Sequence, residues 1–255
     1  MTYELSFART PVDRVAVVDL ESACALFGRE TLPYPLGRSR PVGSVWLATR
    51  AGEPIADRLA GGDLRGVRSW VEALVRSDVC VECRVHPFDA HTPELRLHAL
   101  RAGESGFVAV QTRDQDGVDV VDIYSVAPDA LAAAIAESVG LVGAGAHPRI
   151  ALAGDGNHLP KMPVTAEDFD DLGFPVRRDE PDELSARVLD VSEVVATGTV
   201  QTRCERAQHR GTDPQSRILQ WVQVSGDGDY IYDFDGHAEP LSADMLRSFI
   251  EGFIA

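Results

Sequence analysis

A chain of 255 residues, 44% hydrophobic and 25% charged, has the composition of a soluble globular protein. By length it can bury roughly 70% of its unfolded surface, so no disulfide or metal staple is needed. A formal net charge of −16 opposes phosphate backbones and anionic lipid, which removes nucleic acid and membrane surfaces from the expected partners.

The opening "MTYELSFARTPVDRVAVVDL" has no basic region followed by an unbroken apolar run. No later stretch approaches the roughly 20 apolar residues of a membrane span, and a cytoplasmic protein is expected. The first predicted element is a helix with Asp19 as N-cap, because Leu20, Ala23, Cys24 and Phe27 recur at helical spacing before Gly28. "LPYPLG" (32–37) stops it. Val45 to Arg50 is compatible with a strand or a short helix. From Asp63 onward, Leu64, Val67, Val71 and Leu74 form one stripe with Trp70 beside it, a second amphipathic helix ending near Ser77. Four strands follow, Val79 to His86, Glu94 to Arg101, Phe107 to Arg113 and Val118 to Val126, joined by polar or glycine-bearing turns as an antiparallel meander. A helix from Asp129, carrying Leu131, Ile135 and Val139, ends at Gly140.

Residues 141–163 read as a Gly/Pro-rich connector. Their "GLVGAG" follows a helix instead of a strand and precedes no helix start, so it lacks the context of a dinucleotide fingerprint and is read as a loop. In "VTAEDFDDLG", Thr165 is a fitting N-cap with Asp168 at N3, and Phe169 and Leu172 supply a short apolar pair. The charged "VRRDEPDELSARVLD" reads as a mobile stretch or a surface helix.

The second half repeats the first. Strand, Asp-Gly turn, strand, Pro-bearing loop and helix recur, with Asp116-Gly117 matched by Asp227-Gly228. The closing helix, after Ser242 as N-cap, carries Met245, Leu246, Phe249, Ile250 and Phe253, and Val194 to Arg206 is the counterpart of the early strands. The expected fold is a single α+β domain over 1–255. Its pseudo-two-fold repeats, approximately 15–140 and 160–255, each of antiparallel meander plus helix, share a central, mostly antiparallel sheet with two groups of helices.

Two segments suggest metal and neither sustains it. "QVSGDGDYIYDFDG" holds Asp227, Asp229, Asp233 and Asp235, but a calcium loop counted from Asp227 places Ile231, Tyr232 and Ala238 where an oxygen ligand, a glycine and a Glu are needed. The alternation of Ile218 to Val224, followed by Tyr230, Ile231, Tyr232 and Phe234, makes it a hairpin. In "CVEC", Cys80 and Cys83 lie three apart on a strand and point to opposite faces. The cysteines are read as small buried hydrophobes in a reducing cytosol. No cofactor is expected. The chain has no Gly-x-Ser-x-Gly, no His-Glu-x-x-His and no Walker loop, its only lysine being Lys161. Its seven histidines are scattered without ligand spacing, so catalysis is not expected.

The helix with "LPYPL", "VRSWVEALVRSD" leading into "VCVECRV", the meander "LRLHALRAGESGFVAVQTRD" and the closing "SRILQWVQVSGDGDYIYDFDG" resemble, in that order, the EspG family of ESX secretion-associated proteins of actinobacteria. The resemblance covers nearly the whole chain. It implies a quasi-two-fold α+β fold and a cytosolic chaperone of type VII secretion that binds the helical tip of the PPE protein in a PE–PPE heterodimer. A small-molecule enzyme or ligand-binding protein, with its site between the two repeats, is the alternative.

A chaperone for an apolar tip needs exposed aromatic anchors with a polar rim. "HPFDAHTPE" offers Phe88 among His86, Asp89 and His91, either projecting from the sheet or tucked back onto it. Family members often carry a longer loop here. "EDFDDLGF" adds Phe169, Asp170 and Phe174, and "CERAQHRGTDP" adds Glu205, Arg206, His209 and Arg210, as a groove shared by three segments.

Overall fold

The structure is a computed structural model and describes residues 9–39, 53–153, 187–203, 217–232 and 237–255. Strand β1 (Thr10–Ala16) runs directly into helix α1 (Val17–Leu26), and α2 (Ile55–Ala60) and α3 (Arg65–Arg76) precede the meander β2 (Val79–Pro87), β3 (Leu95–Ala102), β4 (Ser105–Arg113) and β5 (Asp119–Val126). A 3-10 turn at Pro128–Ala130 leads into α4 (Leu131–Val139). Then come β6 (Ile150–Ala153), β7 (Arg187–Asp190), β8 (Val194–Arg203), β9 (Ile218–Val224), β10 (Gly228–Tyr232), β11 (His237–Pro240) and α5 (Ala243–Ile254).

The described strands form one sheet in the order β1-β5-β4-β3-β2-β8-β9-β10-β11-β6-β7. All neighbours are antiparallel except β6 and β7. Strands β2 and β8 pair at the centre, with Val81 opposite Thr202 and Val85 opposite Gly198. The architecture is α+β, with a large, mostly antiparallel sheet.

Strand alternation divides the core between two faces of this sheet. Val79, Val81 and Cys83 of β2 pack with Val200, Leu219 and Trp221 under α4 and α5. Leu100, Phe107, Ala109, Val121 and Ile123 lie under α1, α2 and α3, where Trp70 is wholly buried. A smaller cluster of Ile150, Leu189, Val194, Val222, Val224, Tyr230 and Ala238 knits the far strands together.

Several sequence expectations are corrected. The first helix starts earlier than Asp19, since Ala16 is its N-cap and makes no side-chain cap. Asp19 sits in the first turn, where a carboxylate suits the helix dipole, and its Oδ2 lies 3.1 Å from the buried guanidinium of Arg58. Strand β1 was missed because Pro11 and Asp13 are poor strand formers. An edge strand tolerates both, and the register shifts between them. The connector 141–163 contributes β6, and the end of the charged "VRRDEPDELSARVLD" is β7 instead of loop or helix. The Pro-bearing loop before the last helix is β11. On α5, Leu246, Ile250 and Ile254 are buried, whereas Met245 and Phe249 are about 40% exposed, so the apolar stripe is wider than the core it serves. Val45 to Arg50, the Thr165 cap with Phe169 and Leu172, Cys204, and Asp233 to Asp235 lie outside the described residues.

Candidate functional site

The β2–β3 connection is built by its own residues. Asp89 closes it as an Asx turn, its Oδ1 accepting from the His91 amide at 3.0 Å and its Oδ2 from the Thr92 hydroxyl at 2.7 Å. These donors hold the Asp89 carboxyl below its usual range. The Phe88 amide donates to the Val195 carbonyl at 2.8 Å, which ties the start of the loop to β8. With its backbone so fixed, Phe88 projects its ring, 54% exposed, instead of tucking it onto the sheet. The His86 ring meets it edge-on, with centroids 6.0 Å apart. His86, Pro87, Phe88, Asp89, Ala90, Thr92 and Glu94 line an open depression of about 270 Å³.

Behind Phe88 lies an ionic cluster that sequence reasoning missed. Antiparallel register sets Arg84 of β2 opposite Arg96 of β3, a like-charge pair that is unfavourable unless a counter-ion intervenes. Glu94 intervenes. Its Oε1 accepts from Arg84 Nε, its Oε2 from Arg96 Nε at 2.7 Å, and His86 Nδ1 stands 3.4 Å from Oε1. Although burial works against it, the two guanidiniums hold the Glu94 carboxyl below the usual range. Arg84 also meets the Tyr34 hydroxyl. The segment bearing Tyr34 is fastened to the sheet by Gln111, whose side-chain amide accepts from Gly37 N at 2.9 Å and donates to Gly37 O at 2.7 Å. Ser39 N donates to Asp119 at 2.9 Å beside it. The arginines at positions 84 and 96 could have been found from the sequence by pairing the two strands outward from their turn.

Of the expected groove, the structure brings His86, Phe88, Asp89 and His91 together on this loop. Asp89 serves as the turn's own cap and not as a free rim charge. Phe169, Asp170, Phe174, Glu205, Arg206, His209 and Arg210 lie outside the described residues.

The aspartate-rich hairpin and "GLVGAG" explain each other. Asp229, 1% exposed, accepts from Val142 N at 2.7 Å and Gly143 N at 3.1 Å, and its own amide donates to Gly143 O at 2.7 Å. Asp227 accepts from Ala146 N and from the Tyr230 hydroxyl, both at 2.7 Å. A Cβ on Gly145 would stand 1.9 Å from the Tyr230 ring, and one on Gly228 would stand 2.7 Å from the Gly143 carbonyl oxygen. These glycines and carboxylates dock a loop onto a hairpin. On β2, Cys83 faces the α4 and α5 core, while Cys80 packs on the opposite side beside Ser77. Burial pushes both thiols up. Among the described residues no three His, Cys, Asp or Glu side chains gather as a metal site. A second depression, about 460 Å³ and open to solvent, is lined by Asp244, Met245, Ser248 and Phe249 on α5. Among the described residues no helix is long and apolar enough to cross a membrane.

A search of the curated proteins finds no match. The family model for the EspG family matches residues 17–233, which takes in α1, the central β2–β8 pair and the hairpin as far as β10. With most of its length so matched, the chain belongs to the EspG family.

Proposed function

We propose that this protein is a cytoplasmic chaperone of type VII (ESX) secretion, which binds the helical tip of the PPE protein in a PE–PPE heterodimer and keeps the pair soluble. Membership of the EspG family supports the ESX-associated chaperone role. The observation that supports the client reading is Phe88, a large aromatic side chain 54% exposed on a turn whose backbone is fixed at both ends. Such a ring is an anchor ready to be desolvated, and its preset loop lowers the ordering cost of binding.

Coexpression with the PE–PPE pairs encoded near its gene tests this. The expected result is a soluble complex with one copy of each chain on sizing. Pairs that stay insoluble, with no complex eluting, remove the support for the reading. Within such a complex, Phe88→Ala should cost about 1–3 kcal/mol of affinity and leave the melting temperature unchanged, because the ring contributes little to the fold. Unchanged affinity with the fold intact moves the anchor elsewhere.

A further inference from the structure

Two permanent positive charges share one carboxylate behind Phe88. Among the described residues Arg84 and Arg96 share the one carboxylate of Glu94, which leaves a surplus guanidinium charge there on a protein whose formal net charge is −16. Arg84 is the more accessible of the two. Each has a second partner, Tyr34 for Arg84 and the Gly37 carbonyl for Arg96, but the Arg84 side chain is 39% exposed against 21% for Arg96. Aromatic rings stand on either side. Tyr34, 39% exposed, meets Arg84, and Phe88 stands beyond His86. Asp89 follows Phe88 in the loop and accepts from His91 and Thr92, so among the described residues of the loop charge runs from positive at Arg84 to negative beyond Phe88.

We propose that Arg84 receives a side-chain carboxylate of the client's helical tip, while the client's apolar residue seats against Phe88. This rests on the chaperone reading and adds what orients the client. A planar guanidinium suits a carboxylate through paired N–H donors, and the aromatic flanks withdraw the pair from water. The gradient rejects a tip docked the other way, because its acid would then face Asp89. The occupant is therefore a helix end presenting an apolar and an acidic residue together, and a purely apolar tip would take the exposed N–H donors of Arg84 out of water without offering them a new acceptor.

The test uses the full chain and the PE–PPE pair that copurifies with it. Arg84→Gln, which keeps a hydrogen-bond donor for Glu94, should weaken binding about 10-fold, chiefly through faster dissociation, as loss of one partner of a desolvated pair does. Replacing each acidic residue of the PPE tip by Lys leaves this chain untouched. One replacement should weaken wild type by a similar factor, and Arg84→Glu should restore that client alone. If Arg84→Gln binds within about twofold of wild type, or no acid in the tip matters, the role of Arg84 is overturned while the chaperone reading stands. A wild-type chain that retains no pair overturns both.

Discussion

His98 shows what a buried titratable group does to the molecule. It is 1% exposed on β3, edge-on to Trp70 with ring centroids 6.3 Å apart. Burial, with a smaller contribution from the charge of Arg29, lowers its pKa to about 3. The unfolded chain takes up that proton near pH 6.5 and the folded one resists it, so His98 withdraws stability as pH falls from about 6.5 towards 3. The slope is at most about 1.4 kcal/mol per pH unit. His98→Leu should flatten the fall of urea midpoints between neutral and mildly acid pH, and parallel profiles for the two proteins would disprove the assignment. Asp229 is the structural counterpart. Asp229→Ala leaves the Val142 and Gly143 amides without their acceptor and should cost roughly 2–3 kcal/mol in chemical denaturation. A loss of only a few tenths would mean that the loop is held by its other contacts.

Among elements, the docking of loop 142–147 on the β9–β10 hairpin makes the sharpest steric demand. Gly145→Ala drives a methyl group into the Tyr230 ring and should destabilise by about 1–3 kcal/mol, whereas Gly103→Ala, whose Cβ meets nothing, incurs only its left-handed backbone strain. Equal losses in the two variants would argue against the steric account. This junction also marks the limit of what the sequence conveys. The four strands of the meander, the stripe of α3, the Gly140 C-cap and the Ser242 N-cap were legible, because short-range periodicity and caps determine them. The Asp-rich turn was legible as a hairpin. What its carboxylates bind was not, since the backbone amides they accept from lie more than 80 positions away, as the Val142–Asp229 separation of 87 shows. Strands β1, β6, β7 and β11 were missed for a related reason. They are short or edge strands whose formation depends on a neighbour instead of on their own residues. At the candidate site, Phe88 stood out as an aromatic in a polar turn, but Arg84 and Glu94 acquire meaning only once β2 and β3 are placed in register.

For the molecule as a whole, the pairing of β2 with β8 makes one sheet of strands from both ends of the chain. Trp70 reports the core under α1 to α3, and Trp221 reports the core under α4 and α5. With Trp46 replaced by Phe in both, Trp70→Phe and Trp221→Phe chains each keep one tryptophan and should show urea transitions by fluorescence that coincide with the transition seen by circular dichroism. Midpoints separated by more than ~0.5 M would instead mean that the two cores melt as separate units. The same central seam matters during synthesis. Strands β2 to β5 and β1 can pair as soon as they leave the ribosome, but β8 is translated only after α4 and β6, so the newborn first half waits with β2 as an open edge. At ~5–20 residues per second that wait lasts seconds. During it, the unpaired backbone of Val79 to Pro87, with Val81 and Cys83 still uncovered by α5, is a template on which one nascent chain can join another.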